Sequence, residues 1–227
     1  MDEMTVVVTG GSRGIGAATV RELVGAGADV VTCARDAEAL AALGADLDGP
    51  GTLRTQRADV RDEYDVERLV ETASREGDGV DAVVANAGVY HGDPGQTPVT
   101  EESYATVDDH LRVNARGVFV TFREALPHLT DDARMVALSG RIARQPRSGF
   151  GSYAVSKAAA EAVARQFAVD CEVPVGVVDP GTVATDLTGG QGSDPAHAAD
   201  LVAWALTEAD DDTVDGNVLD RGTMRGR

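Results

Sequence analysis

Short apolar runs and amphipathic stretches alternate along nearly the whole chain. Thr5-Val6-Val7-Val8-Thr9 is β-branched throughout, and similar runs follow at 29–33, 52–56, 81–85, 134–138 and 173–178, with a weaker one at 217–219. An unbroken stretch such as Val6-Val7-Val8 suits a strand buried on both faces rather than on one. Between these runs, spacings of three and four residues predict helices at 14–26, 36–43, 62–76, 100–126, 151–170 and 195–207. Such alternation predicts an α/β fold, a doubly wound parallel sheet of about seven strands with helices on both faces. Right-handed connections then place the ligand beyond the carboxyl ends of the strands.

No repeat or linker divides the sequence, so residues 1–227 are expected to form one domain that both binds and catalyses. The segment 46–51 reads as a turn, and 185–195, with Gly189, Gly190 and Gly192, reads as a mobile lid after a late strand. No apolar run reaches the roughly 18 residues of a membrane span. The acidic start, Met-Asp-Glu-Met, is unlike a secretory signal, and two cysteines, Cys33 and Cys171, make no disulfide framework. A cytoplasmic setting is therefore expected.

Charge changes the picture. Thirty-eight acids, 25 of them Asp, face twenty bases and leave a net charge of -18. So acidic a surface repels nucleic acid and anionic lipid, which excludes both as expected partners. Self-repulsion on this scale is tolerated where salt is concentrated, because the screening length falls to about 3 Å at 1 M. The composition resembles that of salt-loving archaea. Nineteen of the bases are Arg and one alone, Lys157, is Lys.

Candidate chemistry starts directly after the first strand, in Thr9-Gly10-Gly11-Ser12-Arg13-Gly14-Ile15-Gly16. Glycines at these positions permit a tight turn, close approach of a phosphate and packing of helix on strand. The helix that follows offers free N–H groups and the positive end of its dipole to a pyrophosphate. No Walker lysine follows the turn, which excludes a nucleoside-triphosphatase. Farther on, Tyr153 and Lys157 lie four apart on a predicted helix and so share one face. An ammonium favours the phenolate and is expected to lower the phenol from its usual pKa of about 10.

These elements, with others in the same order, resemble the short-chain dehydrogenase/reductase family over about residues 4–220. Its pattern matches the glycine turn, Asp59-Val60, Asn86-Ala87-Gly88, Asn114, Ser139, the Tyr153/Lys157 pair and Pro180-Gly181-Thr182-Val183-Ala184-Thr185. The resemblance implies a single-domain Rossmann fold and hydride transfer between a nicotinamide cofactor and a small carbonyl or alcohol substrate. Tyr153 becomes general acid or base, with Lys157 beside it. Ser139 orients and polarises the carbonyl, and the backbone of Asn114 holds a water that links Lys157 to solvent. Gly10, Ser12, Arg13, Gly14, Ile15, Gly16, Arg35, Asp59, Val60, Asn86, Ala87, Gly88, Pro180, Gly181, Val183 and Thr185 would contact the cofactor, along with Tyr153 and Lys157. One departure stands out: the family's serine usually lies thirteen residues before the tyrosine, and Gly140 occupies that place here.

The end of the second strand, Thr32-Cys33-Ala34-Arg35-Asp36, lacks the acid that bonds a ribose 2′-OH in NAD enzymes. Arg13 and Arg35 there suit a 2′-phosphate, so NADP(H) is expected, with NAD(H) the alternative, and Asp36 is expected to cap the next helix. Ile142, Phe150, Tyr90, His91 and Leu187 are candidate substrate walls. His110, His128 and His197 show no metal-ligand spacing, and no metal is expected. Three further readings compete: an NAD-dependent alcohol dehydrogenase of this fold, a nucleotide-binding protein without turnover, and an epimerase or dehydratase, which would need an added substrate domain. The resemblance also implies a homo-oligomer, dimer or tetramer, assembled on the segments 100–126 and 151–170.

Overall fold

A computed structural model describes residue 1 and residues 4–226. Seven strands, β1 (Thr5–Thr9), β2 (Asp29–Ala34), β3 (Thr52–Arg57), β4 (Val80–Ala85), β5 (Leu129–Leu138), β6 (Val175–Val178) and β7 (Val218–Leu219), form one sheet. Their order is β3-β2-β1-β4-β5-β6-β7, and every pairing is parallel. This is the single-domain, Rossmann-like doubly wound architecture that the alternation of runs predicts.

Side chains on successive strand residues point to opposite faces, and β1 shows the result. Val6 and Val8 enter a core roofed by α1 (Gly14–Gly25) and α7 (Ala196–Thr207), where Leu23, Leu201 and Trp204 are buried. Val7 enters the opposite core, under α3 (Glu63–Ala73), α5 (Gly117–Ala125) and α6 (Gly151–Asp170), with Leu69, Phe122 and Ala160. All three valines are fully buried, each contributing roughly 1.5–3 kcal/mol relative to exposure. The continuous apolar run is thus a strand between two cores.

Several bounds differ from expectation for local reasons. The predicted helix over 100–126 begins at Tyr104, because the Ser103 hydroxyl accepts the Thr106 N–H at 3.1 Å and caps it. It then runs as α4 (Tyr104–His110), a π-helical segment (Leu111–Arg116) and α5. Strand β6 starts at Val175 rather than 173, since Pro174 has no N–H to give a ladder. Strand β5 starts earlier, at Leu129. Asp36 caps α2 (Ala37–Ala45), accepting the Ala39 N–H at 3.0 Å. The expected lid over 185–195 is organised by a 3-10 turn at Asp186–Thr188 and a bridge between Val183 and Ser193. Two short helices, α8 (Asp211–Val214) and α9 (Arg221–Arg225), lie outside the expected elements. No helix among the described residues is long and apolar enough to cross a membrane.

Candidate active site

The sheet's winding reverses between β1 and β4, and a crevice opens there past the strand ends. Asn86, just after β4, ties the two sides together. Its Nδ2 donates to the carbonyls of Thr9 and Gly10 at 2.9 and 3.0 Å, while the Thr9 hydroxyl accepts the N–H groups of Asn86 and Ala87 at 3.2 Å. The glycines of the turn have no room for side chains. A Cβ on Gly10, which has φ +71, would lie 2.8 Å from the Cα of Ala87, and one on Gly16 would lie 2.2 Å from the Gly10 oxygen. Helix α1 begins with no acidic residue in its first turn and no side-chain cap from Arg13, so its N–H groups remain available to an anion.

A cleft of about 1520 Å³ runs from this turn across the carboxyl ends of the strands. Gly10, Ser12, Arg13, Gly14, Ile15, Gly16, Arg35, Asp59, Val60, Asn86, Ala87, Gly88, Ser139, Tyr153, Lys157, Pro180, Gly181, Val183 and Thr185 all line it. The expected substrate walls Tyr90, Ile142, Phe150 and Leu187 line it as well. Asn114 and His91 do not. Asn114 is buried behind the wall in the π-helical segment, its amide spent on Val89 N–H (2.8 Å), Val89 O (2.9 Å) and Ser156 Oγ (2.9 Å). The His91 ring turns instead to Asp109, at 2.8 Å.

Tyr153 and Lys157 sit one helical turn apart near the start of α6. The Lys157 ammonium donates to the Leu138 carbonyl at 2.9 Å and is buried, and that burial pulls it down to about 8 despite the opposing charge of Glu161. Burial pushes the Tyr153 phenol up to about 12, with Tyr90 adding to the rise. In the chain without cofactor the phenol is thus raised and not lowered, with burial as the larger cause. At neutral pH the resting pair is phenol and ammonium. Tyr90 packs on the Tyr153 ring with centroids 4.7 Å apart.

Ser139 has a buried partner. It lines the cleft, but its proton goes to Glu161 Oε1 at 2.8 Å. Glu161 is buried and also accepts Arg144 at 3.0 Å and Arg165 at 3.4 Å, while Arg144 reaches on to Asp179. A hydroxyl has one proton to donate, so this arrangement leaves none for a substrate carbonyl. Glu161 is not among the expected site residues: its place four residues beyond Lys157 on the same helix face can be read from the sequence, but its pairing with Ser139 cannot.

At the opposite end, Asp59 is clasped by Arg61, which also holds Asp109 at 2.8 Å. Partial burial opposes the Asp59 charge, yet the Arg61 hydrogen bonds prevail and hold the carboxyl below its ordinary value. Arg35 lines the cleft without an ion pair among the described residues. Arg13 pairs with Asp186 of the 3-10 turn at 3.1 Å, both side chains being largely exposed. The segment after β6 lies over the glycine turn here, with the Thr185 methyl 3.1 Å from where a Gly14 Cβ would be.

Comparison with known proteins places this geometry. Residues 4–196 match the family described as short chain dehydrogenase. An L-fucose dehydrogenase of Mus musculus is 39% identical over 191 residues, covering 80% of this chain and 66% of that protein. A chloroplastic NADPH-dependent aldehyde reductase 2 of Arabidopsis thaliana is 31% identical over 205 residues, covering 80% of this chain and 72% of that one. Among solved structures, a short chain dehydrogenase from Burkholderia cenocepacia in complex with NADP superposes with a TM-score of 0.86 at 28% identity, covering 96% of each chain.

Proposed function

The chain belongs to the short-chain dehydrogenase family of oxidoreductases, and on that premise we propose that it is an NADP(H)-dependent carbonyl reductase in which Tyr153 protonates the substrate oxygen. The observation that carries this reading is the placement of Tyr153 and Lys157 on one face of α6, in the wall of the cleft that starts at the glycine turn.

The residues fit a dinucleotide. Gly10 and Gly16 leave the close approach that a pyrophosphate needs, and the uncapped start of α1 offers it N–H groups. Pro180, Gly181, Val183 and Thr185 would hold the nicotinamide end, and Asp59 and Val60 the adenine end. Arg35, with Ala34 where an NAD enzyme would carry an acid, favours a 2′-phosphate over a free 2′-OH. When bound, the nicotinamide supplies the hydride equivalent that the protein itself cannot.

The chain's own residues handle the proton. Burial raises the Tyr153 phenol, so the resting chain holds at neutral pH the proton that reduction consumes, and its release rests on the charge that develops on the substrate oxygen and on the ammonium beside it. As the substrate oxygen gains negative charge it takes the proton from Tyr153, and the phenolate left behind is stabilised by the Lys157 ammonium. Phe150, Ile142 and Tyr90 form an apolar wall around the reacting carbonyl. Ser139 serves in this reading as part of the wall and not as a proton donor. Exposed Phe119 on α5 with Val155 and Val169 on α6 supports assembly into a homo-oligomer, checked by light scattering.

The test is NADPH oxidation with a panel of aldehydes, ketones and sugars, in wild type and Tyr153→Phe. The variant is expected to lose about 10²-fold or more in kcat while its NADPH affinity stays within about twofold. Unchanged turnover would overturn the assignment of Tyr153. Equal catalytic efficiency with NADH and NADPH would overturn the cofactor assignment, and Arg35→Ser is expected to weaken NADPH alone. A nucleotide-binding protein without turnover is not favoured, since phenol and ammonium both reach the cleft.

A further inference from the structure

We propose that Glu102, Ser152 and His110 form a positioning device that fixes the first turn of α6 and, through it, the ring of Tyr153. The inference rests on the reading of Tyr153 as proton donor and adds three residues that none of the motifs above contains.

Helix α6 starts without a local cap: Phe150 occupies the cap position and has no side chain that can accept an N–H. The acceptor comes from fifty residues away. Glu102 Oε2 accepts the Ser152 N–H at 2.5 Å, and Oε1 accepts the Ser152 hydroxyl at 2.8 Å. The Glu102 side chain is 1% exposed, so a carboxylate has been taken out of water to serve this helix end. Gly151 makes room for it. A Cβ there would stand 2.4 Å from Glu102 Oε2 and 2.6 Å from Cδ, and the residue's φ of +48 suits glycine as well.

The chain of hydrogen bonds continues through Ser152 Oγ to His110 Nδ1 at 2.7 Å. Its direction is fixed at the far end, where the backbone N–H of His91 points at His110 Nε2 at 3.0 Å. An N–H can only donate, so Nε2 is the acceptor and the proton of the neutral ring sits on Nδ1. His110 therefore donates to Ser152, and Ser152 donates to Glu102. Burial keeps the fully enclosed His110 ring below its ordinary value, His91 adds to that, and the charges of Glu102 and Asp109 oppose it. The Tyr153 ring stands edge-on to His110, with centroids 6.0 Å apart, and packs against Tyr90 on another side. The device thus reaches Tyr153 twice, through the peptide of its neighbour Ser152 and through the ring of His110.

Because the polarity runs one way, a substitution that reverses one partner breaks it and one that preserves polarity repairs it. Glu102→Gln leaves one acceptor where two donors, the Ser152 N–H and hydroxyl, converge. His110→Gln supplies an acceptor for the His91 N–H and a donor for Ser152, whereas His110→Leu supplies neither. The experiment measures kcat, KM and NADPH affinity together with amide hydrogen exchange over residues 151–155, in the full-length protein. Glu102→Gln and His110→Leu are expected to speed exchange in that segment and to lower kcat about tenfold or more at nearly unchanged NADPH affinity, since small misplacements of a reacting group are costly. His110→Gln is expected to recover most of the kcat that His110→Leu loses. Faster exchange with unchanged kcat would reduce the cluster to a structural cap and overturn the proposal, as would unchanged exchange. If Glu102→Gln does not fold, Ser152→Ala is subject to the same criteria. Wild-type protein without turnover on any carbonyl would count against the Tyr153 reading, while the exchange result would still decide whether Glu102 and His110 hold the helix start.

Discussion

Substituting Gly16 by Ala puts one methyl group into the tightest contact of the cleft. Its Cβ would meet the Gly10 oxygen at 2.2 Å and Asn86 Nδ2 at 2.5 Å, where non-bonded atoms normally rest near 3.5 Å. Neither neighbour can swing aside freely. The oxygen is backbone, and Nδ2 holds the Thr9 and Gly10 carbonyls at 2.9 and 3.0 Å. Relief requires α1 to move off the glycine turn or the Asn86 bonds to break. Overpacking of this kind costs about 1–3 kcal/mol, and a lost hydrogen bond about 1 kcal/mol, so a loss of roughly 2–4 kcal/mol is expected. For a chain of this length that lowers Tm by roughly 4–16 °C. NADPH affinity should fall as well, because the displaced N–H groups are those proposed to meet the pyrophosphate. Gly25, at the other end of the same helix, is the control. No atom lies within 4 Å of its would-be Cβ. Ala there is expected to raise Tm by roughly 1–4 °C, from about 0.5–1 kcal/mol of backbone entropy. Thermal melts at fixed salt and fluorescence titration with NADPH read both. A Gly16→Ala protein with wild-type melting and affinity would refute the argument from close approach, and a destabilised Gly25→Ala would refute its use of empty space.

Other outcomes follow from the site and from the charge of the chain. Ser139→Ala should cost about 1 kcal/mol of stability through its bond to Glu161, yet lower kcat less than about tenfold; a loss of about 10³-fold would restore Ser139 as a proton donor to substrate. With Lys157 at about 8, its ammonium is intact below that pH and lost above it, so kcat for reduction should fall as pH rises through 8. The stability sign is opposite: between about 8 and 10.5 the unfolded chain binds a proton that the native chain does not, so this group's destabilising effect, about 3 kcal/mol at neutral pH, is relieved as pH rises. Comparing denaturant unfolding of wild type and Lys157→Met across that window checks it, and parallel curves would refute it. Finally, a net charge of -18 predicts a Tm that climbs with KCl between about 0.1 and 1 M, as screening shortens from about 10 to 3 Å; a flat Tm would remove the salt-adapted reading.

What could be read from the sequence was whatever the chain encodes over a few neighbouring residues. Val6-Val7-Val8 specified a strand between two cores, and the glycine turn and the Tyr153/Lys157 spacing specified their shapes without help from elsewhere. What the sequence does not display is pairing across long separations. Ser139 gives its proton to a residue 22 positions away, Arg13 is held by Asp186 across 173 positions, and Glu102 caps a helix fifty residues on. No local pattern announces such pairings. The raised phenol of the chain without cofactor has a related reason, since burial depends on what the fold packs around Tyr153 and not on its neighbours in sequence.

The sheet's outer margin at β3 has a bearing on how copies of this chain can meet. Every residue of that strand is at least partly exposed, and Arg54 and Arg57 stand on it. Arg54 is paired with Glu76 at 2.6 Å, and charged side chains on an edge strand are among the features that discourage a second molecule from adding its own strand there. Such an edge disfavours association through this margin of the sheet.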